Sequence, residues 1–217
     1  MGPVTAGNDP PTTELLNRLA AGDQDGWPEL LRLHHARLRR MVALRLDQRL
    51  HGRIDPSDVL QDAYLHASRG LPAYLQNPEV PFFVWLRRLA GHRLGRVHRE
   101  HLGAKMRDAG RQVSLDRGPP AASSEAMAAR LLGRHPRPSE EAVRGELCRR
   151  VQDALNDMEP MDREVLALRH FEQLTRAEAA MVLEISEAAV AKRYLRALAK
   201  LKAILEQYPG GLEELAP

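Results

Sequence analysis

Apolar residues recur at spacings of three and four over most of the chain, which is the period of an amphipathic helix. Strict alternation of apolar and polar residues, the period of a half-buried strand, is nearly absent. The pattern predicts four helices in the first half of the chain, at about 13–22, 28–50, 56–70 and 82–105. Together with further helical periodicity towards the C-terminus, this indicates an all-α fold.

A change in composition interrupts the helical pattern near the middle of the chain. Prolines and serines are frequent between 107 and 145, although a helical turn or two is expected around 125–132. We therefore predict two small helical domains, an N-terminal bundle and a C-terminal helix-turn-helix, joined by a linker. The predicted parts are a flexible tail at 1–12, the bundle at 13–106, the linker at 107–145, the helix-turn-helix domain at 146–206 and a C-terminal tail at 207–217.

The most informative segment is 154–205, where two amphipathic helices meet at a tight turn. Thr175 and Glu178 have the spacing of a capping box, and Ser186 can cap the helix that follows. The apolar stripe of this last helix is formed by Val190, Tyr194, Leu198, Leu201 and Leu205. Its opposite face carries Ala189, Lys192, Arg196 and Lys200, with Arg193 on the flank.

This last helix is strongly basic. From Glu187 to Lys202 there are five basic residues and one acidic residue, a balance of about +4. In a helix-turn-helix, the second helix enters the major groove of DNA, which favours such a charge. The alternative is a helical hairpin whose charged face is only solvated, although such faces usually mix signs.

A second basic face is predicted on the fourth helix. At steps of three or four, one side of this helix carries Trp85, Arg88, His92, Arg96 and Arg99. Between 85 and 111 there are eight Lys and Arg residues against two acidic ones. Arginines that take phosphates, next to an exposed aromatic ring that takes a base, suit a single strand with unstacked bases. Alternatively, Trp85 is a core residue and the arginines are merely solvated.

The third helix combines outward-facing acidic residues with an exposed leucine. Its N-terminal residues Asp55, Asp58, Gln61, Asp62 and Leu65 suggest a protein partner rather than DNA. The alternative is that the aspartates only cap the helix and complement its dipole.

Composition narrows the class of protein. The chain has 217 residues, a net charge of +3 and a single cysteine, Cys148, which fits a reducing cytosol. We expect no signal peptide and no membrane insertion, since no basic-then-apolar leader and no long apolar run is present. We also expect no metal or cofactor, because His98 and His101 are the best-spaced pair and lie in an arginine run.

The order of these motifs resembles an extracytoplasmic-function sigma factor, a bacterial RNA polymerase sigma factor of the sigma-70 superfamily. The segment DPSDVLQDAYLHASRGL resembles the family's helix that docks on the coiled coil of the largest catalytic subunit. FFVWLRRLAGHRLGRV resembles its minus-ten helix, and 155–201 resembles its reader of the minus-thirty-five element. The sequence departs from the family at His92, where asparagine is usual, at Glu159-Pro160 and at Ala189.

The resemblance implies a role for each motif. The residues at 55–65 named above would dock on core polymerase, and the basic face of the fourth helix would capture melted bases. The polymerase partners implied are the coiled coil of the largest catalytic subunit and an upstream-side subunit. The resemblance implies that duplex DNA is contacted by Ser186, Ala189, Lys192, Arg193 and Arg196. The function implied is promoter recognition, DNA melting and transcription initiation in the bacterial cytoplasm, and the resemblance leaves an anti-sigma partner open.

Three other classes of protein remain as alternatives. A freestanding helix-turn-helix regulator would leave the N-terminal helices unexplained. An all-α metal-dependent phosphohydrolase would need a His-Asp pair, and the chain contains no such dipeptide and no H-E-x-x-H motif. An interaction-only adaptor would account for the acidic helix but not for the two basic faces.

Overall fold

The computed structural model describes residues 7–106, 120–131 and 141–205, and these form two compact units, Met1–Pro120 and Ala121–Pro217. The first unit holds α1 (Pro10–Ala20), α2 (Gly26–Arg45), α3 (Pro56–Gln76) and α4 (Phe82–Met106). The second holds α5 (Ser124–Leu131), α6 (Glu141–Asn156), α7 (Pro160–Leu166), α8 (Arg176–Leu183) and α9 (Glu187–Leu205). The prediction of an all-α fold is confirmed.

The region predicted as a linker is not without structure. α5 and the first residues of α6 lie within 107–145, and α5 packs on α6 in the second unit. The rest of that region, 107–119 and 132–140, lies outside the described residues, as do the tail residues 1–6 and 206–217.

The core of the first unit is organised around Phe82, at the beginning of α4. Its ring contacts Trp27, Tyr74 and Trp85, with centroid distances of 6.3, 5.7 and 5.5 Å. The Phe82 N–H donates to Oδ1 of Asn8 at 2.7 Å, which ties the segment before α1 to the start of α4. Because α3 packs on α4 and α2 contacts both, these rings lie where three helices meet.

α3 begins as predicted but continues past its predicted end. Asp55 accepts from the Ser57 N–H at 2.7 Å, and Pro56 occupies the first position, where its missing N–H costs nothing. The predicted stop at Gly70 is wrong, because the helix continues through Pro72 to Gln76. Its last turns bury Leu71 and Tyr74, and this burial outweighs the cost of an internal proline.

The bounds of α1 and α2 also differ from prediction. α1 begins at Pro10 rather than Thr13, because Asp9 accepts from the Thr12 N–H at 3.1 Å and caps the helix. α2 ends at Arg45 rather than near 50, and a separate 3-10 turn follows at Gln48–Leu50.

The second unit contains the predicted helix-turn-helix. Both capping-box bonds are present, from the Glu178 N–H to Thr175 Oγ1 at 3.1 Å and from the Thr175 N–H to Glu178 Oε2 at 2.7 Å. Glu184 ends α8 in the left-handed conformation with φ of 55°, and Ser186 caps α9 by accepting from the Ala189 N–H at 3.1 Å. The chain therefore turns sharply between the two helices.

α9 packs against α6, α7 and α8. Within the predicted stripe, Val190 and Leu201 are buried and Tyr194 and Leu198 are half-buried, and Ala197 completes the buried side. The side chain of Leu205 lies outside the described residues.

Replacing Pro72 with alanine should stabilise the first unit. Pro72 is exposed, so no packing is lost, and alanine restores an N–H that can bond within α3. An internal proline costs about 3 kcal/mol, but proline also stabilises the fold by restricting the unfolded chain, and this gain is lost on substitution. We therefore expect the free energy of unfolding to rise by about 1–2 kcal/mol. Urea unfolding followed by circular dichroism measures the change. Pro78→Ala, in the loop after α3, is the matched control and should give no gain.

Candidate nucleic-acid interface

The basic side of α9 is exposed where the sequence predicted it. Lys192, Arg196 and Lys200 are exposed, Ser186 is exposed at the helix N-terminus, and Ala189 is half-buried. Within the described residues Lys192 makes no ion pair, whereas Lys200 donates from Nζ to the Asp157 carbonyl at 2.8 Å. Lys192 is thus an exposed cation of α9 that no carboxylate compensates within the described residues.

Arg193 is held by two carboxylates that the sequence analysis did not identify. Its Nη1 donates to Asp162 Oδ1 at 2.7 Å and also to Glu159 Oε2. Asp162 lies in the first turn of α7 with its side chain only 5% exposed, and its Oδ2 is 3.2 Å from Nη1 of Arg196. The Asp162 hydrogen bond raises the pKa of Arg193 above its usual value, burial opposes this rise, and the Glu159 pair adds to it.

This acidic contact changes the charge expected for α9. The balance of about +4 along α9 is partly neutralised by Glu159 and Asp162. These two carboxylates lie at the beginning of α7. The only sequence signal was the departure from the family pattern at Glu159-Pro160. A one-dimensional charge count could not detect it, because the partners are more than 30 residues apart.

The predicted basic side chains of α4 are exposed, and one arginine of the charge count over 85–111 is buried. Arg88, His92, Arg96 and Arg99 are exposed, and Arg96 pairs with Glu100 at 2.9 Å. Arg87 is only 2% exposed, so it does not belong to this face. The side chains of Lys105, Arg107 and Arg111 lie outside the described residues.

The expectation of an exposed aromatic residue at Trp85 is wrong in part. The indole is half-buried and stacks on Tyr74 of α3, with centroids 4.8 Å apart and planes at 26°. Gly70 leaves room for it, since a Cβ at that position would lie 3.3 Å from Trp85 Cζ2. The ring packs here because α3 continues past Gly70 and brings Tyr74 against it.

The outer face of α3 is acidic and partly apolar, as expected. Asp58 and Gln61 are exposed, and the Leu65 side chain is among the exposed large apolar ones, at 59%. Asp62 differs, because its Oδ2 lies 2.5 Å from Nη2 of Arg93 on α4. Asp55 serves as the N-cap, and the backbone N–H of Ser57 lowers the pKa of its carboxyl.

The two histidines considered for a metal have other environments. His98 accepts through Nε2 from the Asp47 N–H at 3.1 Å, which joins α4 to the turn after α2, and His101 is exposed. Burial lowers the pKa of His98, and the nearby charge of Asp47 opposes this lowering. The pKa of Asp47 itself falls to about 2, mainly through its hydrogen bonds with Arg49. Among the described residues no group of three or more metal-binding side chains is found.

Cys148, the single cysteine, is half-buried on α6. No helix in the described ranges combines the length and the apolar character that a bilayer crossing requires.

Comparison with known proteins identifies the family. The family "Sigma-70, region 4" matches residues 148–201, which include α7, α8 and most of α9. The RNA polymerase sigma factor CnrH of Cupriavidus metallidurans is 30% identical over 195 residues, covering 88% of this chain and 93% of CnrH. The sigma factor NccH of Alcaligenes xylosoxydans xylosoxydans is 31% identical over 202 residues, covering 91% of this chain and 97% of NccH. The chain belongs to the extracytoplasmic-function family of RNA polymerase sigma factors.

The fold of this sigma factor agrees with that of a solved relative. The structure of CnrH in complex with the cytosolic domain of CnrY superposes with a TM-score of 0.53, at 24% identity, over 92% of this chain and 99% of that chain. The region 4 match and the two sigma-factor relatives confirm the predicted function, promoter recognition and transcription initiation, and sigma factors are non-catalytic regulators. Matches over almost the whole chain leave no support for a freestanding regulator.

The burial of His98 predicts a pH-dependent stability. Because the pKa of His98 is lowered by folding, the unfolded chain takes up the proton more readily than the folded one. This histidine therefore stabilises the fold above about pH 6.5, and its contribution is lost as the pH falls below that value. His98→Gln, which can still accept from the Asp47 N–H, should reduce the difference in urea midpoint between about pH 7.5 and about pH 5.5.

The matched control is His101→Gln, which removes an exposed histidine from the same helix. A pH dependence that is the same in His98→Gln and the unsubstituted chain would contradict this assignment.

Proposed function

We propose that this sigma factor uses three separate surfaces during initiation: α9 for upstream duplex DNA, the exposed face of α4 for melted bases, and the outer face of α3 for core polymerase. The observation that carries the proposal is the distribution of exposed side chains. Basic groups are accessible on α4 and α9, whereas α3 presents acidic, amide and leucine side chains.

For α9, the argument rests on its accessible cations and its position after the turn. Lys192 and Arg196 are one turn apart and exposed, so both can reach phosphates or base edges in a major groove. Ala189, in the first turn, offers a methyl group that can contact a thymine methyl. Phosphate contacts position the helix, and the base-edge contacts provide specificity.

For α4, the argument rests on Arg88, His92 and Arg99, which are exposed along one side of the helix. The arginines can bind the backbone of a single strand, and the flat imidazole of His92 can stack on a base. Melting costs about 1–2 kcal/mol per base-pair step. Stacking on a flat side chain gives about 1–3 kcal/mol per base, so a few captured bases offset the cost of opening.

For α3, the argument rests on the exposed Leu65 beside Asp58 and Gln61. An apolar side chain with polar neighbours is typical of a protein contact, and the acidic groups disfavour DNA. The Asp62–Arg93 pair ties this helix to α4, within one packed core. The surface that docks on polymerase and the surface that captures bases would then move together.

We further propose that the protein acts in the bacterial cytoplasm, with core RNA polymerase and promoter DNA as partners and with no catalytic step of its own. Because CnrH is solved with the cytosolic domain of CnrY, we extend the proposal to a regulatory protein partner of the anti-sigma kind.

Substituting two exposed cations of α9, Lys192 and Arg196, should weaken upstream binding. For Lys192→Ala combined with Arg196→Ala, we expect the salt slope of binding to decrease by about 1 per lost phosphate contact. Run-off transcription of a genomic library first identifies fragments that contain start sites. Footprinting of the full chain with core polymerase on these fragments then measures the binding. Arg150→Ala on α6 is the matched control and should leave the upstream footprint unchanged.

Substituting the outer face of α3 should separate docking from DNA binding. Asp58→Ala with Leu65→Ala should lower the affinity for core polymerase, since both side chains are exposed and make no core contact. Pull-down of core polymerase measures this, and duplex binding by the free chain should be unchanged. If this pair and the α9 pair produced the same losses, the division among surfaces would be wrong.

A further inference from the structure

The acidic contact on α9 joins four side chains into one compensated cluster. Asp162 uses its two oxygens for two different arginines, Oδ1 for Arg193 and Oδ2 for Arg196, and Glu159 adds a second carboxylate to Arg193. We call these four residues the acidic clamp. Its formal charges sum to zero, so these two arginines add no net charge to the surface in the free protein.

The two carboxylates of the clamp differ in how easily they can be displaced. The Asp162 side chain is 5% exposed, within the first turn of α7, where the helix dipole also favours a carboxylate. The Glu159 side chain is 49% exposed and lies just before that helix. Exposed ion pairs contribute little to stability, so Glu159 is the partner that an incoming anion can replace.

A phosphate oxygen can take the place of Glu159 without rearrangement of Arg193. Guanidinium groups bind carboxylates and phosphates with the same geometry, through charge-assisted hydrogen bonds. Both carboxylates of the clamp meet Arg193 at the same nitrogen, Nη1, so the Asp162 hydrogen bond is still available when Glu159 is displaced. A guanidinium fixed in this way loses little side-chain entropy on binding DNA.

We propose that Glu159 occupies, in the free protein, the position on Arg193 that a DNA phosphate takes in the complex, while Asp162 keeps the guanidinium groups of Arg193 and Arg196 in place. This inference rests on the proposed role of α9 in duplex binding. Asp162 is then a positioning residue, and Glu159 is an internal competitor of DNA. The competition lowers affinity for any duplex, and contacts to the correct bases must outweigh it.

The test compares two single charge removals in the full chain. Glu159→Gln removes the exposed carboxylate from Arg193. Glu184→Gln is the control, because it also removes one negative charge near α9, and Glu184 pairs with no arginine in the described ranges. Fluorescence anisotropy with a short random-sequence duplex, between about 50 and 200 mM salt, gives affinity and salt slope. We expect Glu159→Gln to bind about three- to tenfold more tightly than Glu184→Gln, with a slope steeper by about 0.9 for one added phosphate contact.

A second comparison asks whether the gain acts through Arg193. In an Arg193→Ala background, Glu159→Gln should increase the duplex affinity no more than Glu184→Gln does, since no guanidinium of Arg193 remains to be freed. An equal gain with and without Arg193 would mean general electrostatics and would overturn the proposal. If binding by the free chain is too weak for anisotropy, the salt concentration at elution from a heparin column ranks the same variants.

Asp162→Asn separates positioning from charge. It also removes a negative charge, so simple electrostatics predicts tighter binding, whereas loss of the anchor predicts weaker binding with a shallower salt slope. We expect the second result in protein whose circular dichroism is unchanged. Tighter binding, equal to that of Glu159→Gln, would show that Asp162 does not position the arginines.

The outcomes also distinguish this inference from the proposed function. If Lys192→Ala with Arg196→Ala leaves duplex binding unchanged, the role of α9 is wrong. If that pair weakens binding but Glu159→Gln behaves like Glu184→Gln, only the clamp inference fails.

Discussion

The packing of α3 against α4 around Phe82 determines how the first unit presents its surfaces. Phe82 is fully buried and touches the rings of Trp27, Tyr74 and Trp85, so residues from three helices share one contact. Once this contact is made, the inner sides of both helices are fixed. The acidic side of α3 and the basic side of α4 are what remain outside, and the Asp62–Arg93 pair joins their edges.

The second unit depends in the same way on how α9 is held by α7. Val190 and Ala197 are buried against the other helices, and this burial sets the rotation of α9 about its axis. That rotation turns Lys192 to solvent and brings Arg193 beside Asp162. Two adjacent basic residues therefore have different roles, one as an accessible cation and the other as a compensated one.

Charge compensation is a common feature of both basic helices. Arg93 and Arg96 on α4 pair with Asp62 and Glu100, just as Arg193 and Arg196 on α9 pair with carboxylates at the start of α7. Uncompensated cations would attract any duplex, because counterion release does not depend on sequence. Pairing leaves a smaller set of accessible cations, such as Arg88, Arg99 and Lys192, to make the first contacts with nucleic acid.

Local sequence signals were enough to predict the helical class, most helix starts and most of the exposed side chains, because caps and apolar periods are local properties of the chain. Thr175 with Glu178, Asp55 with Pro56, and Ser186 all act as their sequence context predicts. The outer face of α3 was predictable for the same reason.

Tertiary packing set the features that depend on residues far apart in sequence. It continued α3 past Gly70, because burial of Leu71 and Tyr74 outweighs the proline. It turned Trp85 from an exposed ring into a partner of Tyr74, and it buried Arg87. It also gave Arg193 two carboxylates from the start of α7, a pairing that no helical period contains, since packing rather than spacing brings those charges together.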